Sequence, residues 1–213
     1  MRRIVLVGPQ GSGKSTLRGH LAQCLEVPGI CSGELIREEM ERGSSFGLRV
    51  KAAMDSGYLL TDEEVEEAIL EKISAANSTG WVLDGYPRRI SQVITLLNDF
   101  GCDAVVHLQL NDADCIERLS KRRVCPKCKR NYHLVSHPPK IQGVCDDCTT
   151  PLIQRHDDQL AGIQTRLDEF HRETEPMLST FQQRGIPIET INAGSDVERV
   201  VKMTLLRLGR HIN

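Results

Sequence analysis

Five short apolar runs recur along the chain, at residues 4–7, 27–30, 81–83, 104–110 and 186–191. They are rich in β-branched residues, and most of them show no alternation with polar residues. Runs of this kind are typical of strands that are buried on both faces of a parallel sheet. The pattern therefore predicts a parallel sheet of five strands.

Between these runs, apolar residues recur every three or four positions, which is the spacing of one helix face. One such set is Val65, Ala68, Ile69 and Ile73, and a second is Ile163, Leu167, Phe170 and Thr174. The first set begins just after the capping-box sequence TDEE at residues 61–64. Strands that alternate with helices predict an α/β doubly wound fold.

Two stretches do not fit this alternation. Residues 32–60 are helical in character and contain no predicted strand. Residues 123–156 are rich in Cys, Pro, Lys and His, and they contain a Pro-Pro turn signal. We interpret both stretches as inserts in the α/β core.

Charge is nearly balanced, with 27 basic and 29 acidic side chains and a formal net charge of −2. This balance argues against a dedicated nucleic-acid-binding protein, which usually has a strongly basic face. No apolar run approaches the ~18 residues of a membrane span, and the run at residues 4–7 is too short for a secretory signal. We therefore expect a cytoplasmic protein with no membrane partner, whose eight cysteines are reduced.

The first chemical motif is GPQGSGKST at residues 8–16, which matches G-x-x-x-x-G-K-[ST]. A predicted strand precedes it and a helical pattern follows, which disfavours a chance glycine-rich turn. The glycines let successive backbone N–H groups surround a phosphate chain. Lys14 can then reach the β- and γ-phosphates, and the Ser15 hydroxyl can bind Mg²⁺. The motif predicts that the protein binds a nucleoside triphosphate.

Two C-x₂-C pairs lie in the second insert, with sixteen residues between them. The four residues are Cys125, Cys128, Cys145 and Cys148. This spacing predicts a structural Zn²⁺ site, because four thiolates fill a tetrahedral shell and leave no position for water. A pair of disulfides and four unbound thiols are the alternatives. The other four cysteines are expected to be packing residues.

Further motifs follow the P-loop at characteristic spacing. They are CSGELIR at 31–37, LDGYPR at 83–88 with Gln92, Arg118 and Arg122 before the second insert, and RHDD at 155–158 with Arg166. In this order and spacing, the motifs resemble the adenylate kinase family over essentially the whole chain.

The resemblance implies the reaction MgATP + AMP ⇌ 2 ADP, with structural Zn²⁺ in some members. It implies a P-loop NTPase fold with a parallel five-stranded sheet flanked by helices, a helical AMP-binding insert and a small zinc-binding lid. The core would comprise residues 1–31, 61–122 and 161–213, the AMP-binding insert residues 32–60, and the lid residues 123–160. The expected partners are ATP, AMP and ADP, without nucleic acid, and the family favours a monomer.

The resemblance also implies roles for individual residues. The implied catalytic residues are Lys14, Arg88, Arg122, Arg155 and Arg166. The implied ATP contacts are Gly11, Ser12, Gly13, Lys14, Ser15, Thr16, Arg118, Arg122 and Tyr132, and the Mg²⁺-associated residues are Ser15 and Asp84. The implied AMP contacts are Ser32, Arg37, Met54, Leu59, Leu60, Gly85, Arg88, Gln92, Arg155 and Arg166. Asp157 and Asp158 would tie the lid to arginines of the core.

This set of residues is chemically sensible. MgATP and AMP together carry about −4, and six positive groups would surround their phosphates: Lys14, Arg37, Arg88, Arg122, Arg155 and Arg166. An AMP phosphate oxygen is already an anionic nucleophile, so the reaction needs positioning and electrostatic stabilisation but no general base. Closure of a lid would exclude water, which is the competing acceptor.

Several positions depart from the family pattern. Ser15 stands where glycine is common, Ser32 where threonine is usual, Glu34 where aspartate is usual, and Tyr86 where phenylalanine is usual. The nearest rival function is a UMP or CMP kinase on the same fold, although Gln92 argues for AMP. A rival of another class is a P-loop ATPase with a zinc-ribbon nucleic-acid module, suggested by the basic run at 121–123.

Overall fold

The computed structural model of the chain describes residues 2–56 and 62–211, with the backbone alone described for residues 52–56, 62–65 and 67. Strands in this part of the chain are β1 (Arg2–Val7), β2 (Gly29–Cys31), β3 (Gly80–Asp84), β4 (Ala104–Gln109), β5 (Arg122–Val124), β6 (Asn131–His133) and β7 (Ile188–Asn192). The α-helices are α1 (Lys14–Leu25), α2 (Ser32–Arg42), α3 (Ser45–Ser56), α4 (Asp62–Ala76), α5 (Ile90–Asp99), α6 (Asp112–Ser120), α7 (Leu160–Glu169), α8 (Leu178–Gln183) and α9 (Val197–Leu208). None of these helices is long and apolar enough to cross a membrane.

β1 lies at the centre of a five-stranded sheet with the order β2-β3-β1-β4-β7. All neighbouring strands are parallel, so Val5 of β1 pairs with Leu83 on one side and Val105 on the other. Parallel strands need crossover connections, which the helices supply. The predicted five strands and the α/β fold are confirmed. Ligands of such sheets bind beyond the carboxyl ends of the strands where the strand order reverses, which here is the end of β1.

Side chains of β1 alternate between two hydrophobic layers, one on each face of the sheet. Val5 and Val7 pack in the layer that includes residues of α4, α5 and α8. Ile4 and Leu6 pack in the opposite layer, with residues of α1 and α9. Trp81 is completely buried in the first layer, as expected of a core residue. Burial of each aliphatic side chain of β1 contributes about 1.5–3 kcal/mol to the stability of the fold. β1 is therefore a rigid base for the loop that follows it.

The described residues of the two stretches that we interpret as inserts contribute no strand to the five-stranded sheet. In the first insert, the described residues 32–56 form helices α2 and α3, which pack against each other. Helix α2 also contacts α4. The second contains an antiparallel ribbon in which β5 pairs with β6, so that Arg122 lies opposite His133. Arg122 therefore lies in the first strand of the ribbon, at the base of the insert.

The apolar spacing at residues 163–174 predicts one helix, but the structure has two helix types there and a third directly after it. α7 is followed by a π-helical turn at Phe170–Thr174 and a 3-10 turn at Glu175–Met177. Pro176 explains the change, because proline lacks an N–H and its ring clashes with the carbonyl four residues earlier. The wide π-helical turn followed by the tight 3-10 turn accommodates Pro176 within the helical segment.

The packing prediction for the isolated cysteines is correct for two of them. Cys102 and Cys115 are buried, and Cys31 is half-buried. The prediction is wrong for Cys24, which is exposed. Leu17, Leu21 and Leu25 form the buried face of α1, so position 24 lies off that face.

Candidate nucleotide site and metal cluster

Residues 8–13 form the loop that connects the central strand β1 to α1. Gly11 and Gly13 have φ angles of 87° and 91°, in the left-handed region that glycine adopts without strain. A Cβ on Gly11 would lie 3.1 Å from the carbonyl oxygen of Cys115, so α6 packs directly on the loop. The strand–loop–helix context that a P-loop requires is present.

Lys14 begins α1 and turns its ammonium group back over the loop. Its Nζ donates to the carbonyl oxygens of Gly8 and Pro9 at 2.6 and 2.8 Å. Burial lowers the pKa of Lys14, and the carboxylate of Asp84 opposes this shift. A phosphate oxygen that enters the loop can replace the carbonyls and form a stronger, charge-assisted hydrogen bond.

Ser15 and Asp84 are in direct contact. Ser15 Oγ donates to Asp84 Oδ2 at 2.8 Å, and Asp84 is only 4% exposed at the carboxyl end of β3. Hydroxyl and carboxylate oxygens are among the hard ligands that suit Mg²⁺. The two residues that the sequence predicts as Mg²⁺-associated are therefore placed together beside Lys14.

The carbonyl oxygen of Gly85 connects two of the predicted AMP contacts. It accepts hydrogen bonds from Ser32 Oγ at 2.8 Å and from Arg88 Nε at 2.9 Å. Gln92 is 4% exposed, and its Oε1 accepts from the backbone N–H of Arg88 at 2.8 Å. The loop after β3 thus brings these four residues together, and Gln92 holds the backbone of Arg88 in addition to any contact with a base.

Asp158 joins two of the predicted catalytic arginines. Its side chain has 0% exposure, and its oxygens accept from Arg122 Nε and Nη2 at 2.7 and 2.6 Å. Arg166 Nη2 donates to the same carboxylate at 3.1 Å. A buried carboxylate needs charged partners, so the three residues form one unit between α7 and the base of the second insert. This placement agrees with the expectation that the RHDD segment ties the lid to core arginines.

Arg155 faces two further arginines from different parts of the chain. Its burial, followed by the positive charges of Arg122 and Arg37, lowers the pKa of the Arg155 guanidinium. Arg37 lies on α2, Arg122 on β5, and Arg155 directly before the 3-10 turn at His156–Asp158. Like charges repel strongly where water is partly excluded, so this arrangement favours an anion between the three arginines.

Arg118 connects the P-loop to the loop after β7. Its guanidinium donates to the carbonyl oxygens of Gly11 at 3.4 Å and Ala193 at 2.9 Å. Arg118 therefore lies at the edge of the P-loop, where the sequence predicts contact with ATP.

The four paired cysteines form a compact cluster. Their sulfur atoms all lie within 4.8 Å of one another, with Cys125–Cys148 at 3.3 Å and Cys128–Cys145 at 3.4 Å. A disulfide would need about 2.05 Å, so these sulfurs are not bonded to one another. A tetrahedral zinc site with Zn–S of about 2.3 Å places its sulfurs about 3.8 Å apart. The cluster fits Zn²⁺ after small adjustments.

Both cysteine pairs lie on turns of the same shape. The N–H of Lys129 donates to the carbonyl of Cys125, and the N–H of Thr149 to the carbonyl of Cys145, both at 3.0 Å. Lys129 and Thr149 both have positive φ angles, 63° and 57°. Tyr132 is 2% exposed, and its hydroxyl donates to Cys145 Sγ at 3.4 Å and lowers the pKa of that thiol. The side chain of Tyr132 therefore supports the cluster and has little surface left for ATP.

Three predicted AMP contacts lack a described side chain. Leu59 and Leu60 lie outside the described residues, and Met54 is described by its backbone alone within α3.

Two contacts between distant segments were not predicted from the motifs. Arg18 of α1 donates twice to the Glu34 carboxylate of α2, at 2.7 and 2.6 Å. Lys129 of the second insert forms an ion pair with Glu41 of α2, 88 positions away. No local signal marks either pair, because the partners meet only through the packing of separate elements.

The fold and the cation-lined loop define a P-loop nucleotide-binding enzyme of the phosphotransferase class. A family model described as adenylate kinase matches residues 6–186. The chain is 36% identical to an adenylate kinase of Methanocella arvoryzae over 204 residues, which cover 93% of this chain and 94% of the relative. It is 38% identical to that of Streptomyces griseus (90% of each chain) and 34% identical to that of Caldanaerobacter subterraneus (96% of each chain). The chain belongs to the adenylate kinase family and is a nucleoside monophosphate kinase.

Proposed function

We propose that the protein transfers a phosphoryl group reversibly from MgATP to AMP, giving two ADP. The observation that carries this proposal is that cationic side chains from separate elements lie close to one another. Lys14 of the P-loop lies near Arg88 of the loop after β3, and Arg155 at the end of the second insert lies near Arg37 of α2 and Arg122 of β5. Such a set suits two phosphate chains that meet end to end, because it neutralises both and stabilises the charge that develops on the transferring group.

Bond changes in this reaction are simple. An oxygen of the AMP phosphate forms a bond to the γ-phosphorus of ATP, and the bond from that phosphorus to the β,γ-bridging oxygen breaks. The electron pair leaves with the bridging oxygen as ADP. No proton needs to be removed from the attacking phosphate oxygen, so the protein supplies position and charge.

The preformed contacts prepare individual residues for these roles. Lys14 exchanges the two P-loop carbonyls for phosphate oxygens of ATP. Asp158 holds Arg122 and Arg166 at a fixed spacing, with Arg122 bound through two parallel hydrogen bonds. Arg88 is oriented through its guanidinium by Gly85 and through its backbone by Gln92. These contacts limit the reorganisation that the arginines need when the nucleotides bind.

Two metal ions belong to this proposal. Mg²⁺ enters as part of MgATP, and Ser15 and Asp84 are placed to bind it directly or through its waters. Zn²⁺ would be held by Cys125, Cys128, Cys145 and Cys148. Zinc would supply a rigid tetrahedral cross-link to a small insert that has little hydrophobic core of its own.

The proposed division of labour follows the chain. Residues 1–31, 61–122 and 161–213 form the core, residues 32–60 the AMP-binding insert, and residues 123–160 a lid that closes over ATP and excludes water. We propose that the enzyme acts as a monomer in the cytoplasm, without nucleic acid or a membrane. The Lys129–Glu41 ion pair joins the two inserts and supports the proposal that both close over the bound nucleotides.

A direct test compares monophosphates. ADP formation is measured with ATP and each of AMP, UMP, CMP and GMP, and ATP alone serves as the control. We expect AMP to be the fastest acceptor, with two ADP formed per AMP consumed and only background ADP without a monophosphate. Faster turnover of UMP or CMP would reassign the acceptor. Salt-dependent oligonucleotide binding without AMP-dependent ADP formation would favour a zinc-ribbon ATPase.

A further inference from the structure

A partly buried hydrogen bond connects the loop after β3 to helix α4. The phenol O–H of Tyr86 donates to Oε1 of Glu66 at 2.6 Å. Tyr86 is 2% exposed, and its ring packs in the same hydrophobic layer as Trp81 and Ile69. Burial and the hydrogen bond to Glu66 both raise the pKa of the Tyr86 hydroxyl. The proton therefore stays on the phenol, and the bond runs from a neutral donor to a carboxylate, which is a strong arrangement.

The position of Tyr86 in the chain connects this bond to the monophosphate site. The carbonyl of Gly85 accepts from Ser32 and from Arg88. That carbonyl and the backbone nitrogen of Tyr86 belong to one planar peptide unit. The hydrogen bond that holds the Tyr86 ring therefore also restricts the carbonyl of Gly85, which orients the Arg88 guanidinium.

The position of Glu66 is equally informative. The first insert leaves the core at Ser32, where α2 begins, and the chain returns on α4, which begins at Asp62. Glu66 lies about one turn into α4. The Ser32–Gly85 hydrogen bond fastens the outgoing end of the insert to the loop after β3, and the Tyr86–Glu66 bond fastens the returning end to the same loop. Both ends of the insert thus share one anchor.

We propose that Tyr86 and Glu66 are positioning residues for the monophosphate site. Their hydrogen bond fixes residues 84–88 against the returning helix, so that Arg88 and the first insert meet the monophosphate in the productive geometry. This proposal rests on the proposed phosphoryl transfer to AMP. Phenylalanine at position 86 would fill the same space without forming the bond.

The experiment compares KM for AMP with KM for ATP in matched variants. Tyr86→Phe and Glu66→Ala each remove the bond, and we expect each to raise KM for AMP about three- to tenfold while KM for ATP stays within about twofold. Glu66→Gln keeps an acceptor for the phenol and should retain most of the wild-type KM for AMP. The double variant Tyr86→Phe/Glu66→Ala should be no worse than either single variant, because both remove the same interaction.

Thr204→Val provides the control for a merely structural loss. Thr204 is fully buried in α9, and its hydroxyl donates to the carbonyl of Val200 at 2.7 Å. Its removal should lower the melting temperature and leave both KM values unchanged. The proposal is overturned if Tyr86→Phe behaves like this control, or if it raises both KM values equally. Absence of AMP-dependent ADP formation in the wild-type protein would instead refute the proposed function, before any variant is compared.

Discussion

Lys14 is the cation that the P-loop motif predicts to contact the transferring phosphate. In the structure its ammonium is bound by two carbonyl oxygens of its own loop. We expect Lys14→Met to reduce ADP formation about 10²- to 10³-fold. Methionine nearly keeps the length of the side chain but removes the positive charge that would stabilise the transferring phosphate. The melting temperature should change little. The measurement is the ADP assay together with thermal unfolding.

Lys202→Met is the matched control for this variant. Lys202 is exposed on α9, so its loss removes the same charge away from the loop. A Lys14→Met enzyme as fast as Lys202→Met would refute the role of Lys14.

Gln92 orients Arg88, because its Oε1 accepts from the Arg88 backbone, and we propose that Gln92 also contacts the AMP base. We expect Gln92→Ala to raise KM for AMP about tenfold or more, with a much smaller effect on KM for ATP. Steady-state kinetics with each nucleotide varied in turn measures the difference. Gln182→Ala, an exposed glutamine on α8, serves as the control. Equal changes in both KM values would count against a role at the monophosphate.

Among the elements, the two cysteine turns have little hydrophobic support. The hydrophobic cluster there consists of Cys125, Tyr132 and Cys145, with Cys148 and Leu152 packed against it. We expect Cys125→Ser to lose about one equivalent of zinc and to lower the melting temperature by several degrees, since metal binding contributes directly to folding of such modules. Elemental analysis and thermal unfolding measure both effects.

The exposed Cys24 provides a matched control, because Cys24→Ser removes a thiol outside the cluster. Its zinc content should equal that of the wild type. Unchanged zinc in Cys125→Ser would contradict the proposed metal site.

His171 connects the start of α6 to the turn after α7. Its Nδ1 contacts Glu175 Oε2 at 2.8 Å and its Nε2 contacts Asp112 Oδ1 at 3.0 Å. The hydrogen bonds to Glu175 and Asp112 raise the pKa of His171. A raised pKa means that the protonated form is favoured by folding, so this stabilisation is complete below the ordinary value of about 6.5 and is lost as pH rises through the raised value.

We therefore expect the difference in melting temperature between wild type and His171→Gln to be largest near pH 6 and to shrink toward pH 9. The effect should be modest, because all three groups are largely exposed to solvent. His20→Gln, at an exposed position of α1, is the control. A difference that does not vary with pH, or that grows toward alkaline pH, would refute the protonated bridge.

For the molecule as a whole, the Lys129–Glu41 ion pair connects the two inserts. Lys129→Glu should weaken this connection and raise KM for both nucleotides about two- to fivefold at low salt, within the range of an exposed ion pair. Adding Glu41→Lys to this variant should restore the wild-type KM values. The increase in KM caused by Lys129→Glu alone should disappear near 1 M salt, because salt screens exposed charges. The measurement is kinetics at low and high ionic strength.

Lys127→Glu changes the charge of an exposed neighbour and serves as the control. If the swapped pair remains as impaired as the single variant, or if salt has no influence, the pair does not connect the inserts.

Several parts of the structure could be predicted from the sequence alone. The five strands, the P-loop and the two cysteine turns each depend on residues within a short window, and their spacing directly reflects strand, helix or turn geometry. The family motifs also identified the cations that we expect to converge on the phosphates. The sequence was less informative where one element passes into another: the periodic pattern at residues 163–174 did not reveal the π-helical turn before Pro176.

Tertiary structure decided which distant side chains meet. Asp158 binds Arg122 across 36 positions, and Tyr86 binds Glu66 across 20. Neither pairing follows from local periodicity, because it depends on how β3, α4, α7 and the inserts are placed relative to one another. The sequence thus determined the chemistry of the site, whereas packing decided how that chemistry is held in place, since a hydrogen bond or ion pair forms only where separate elements bring its two partners within reach.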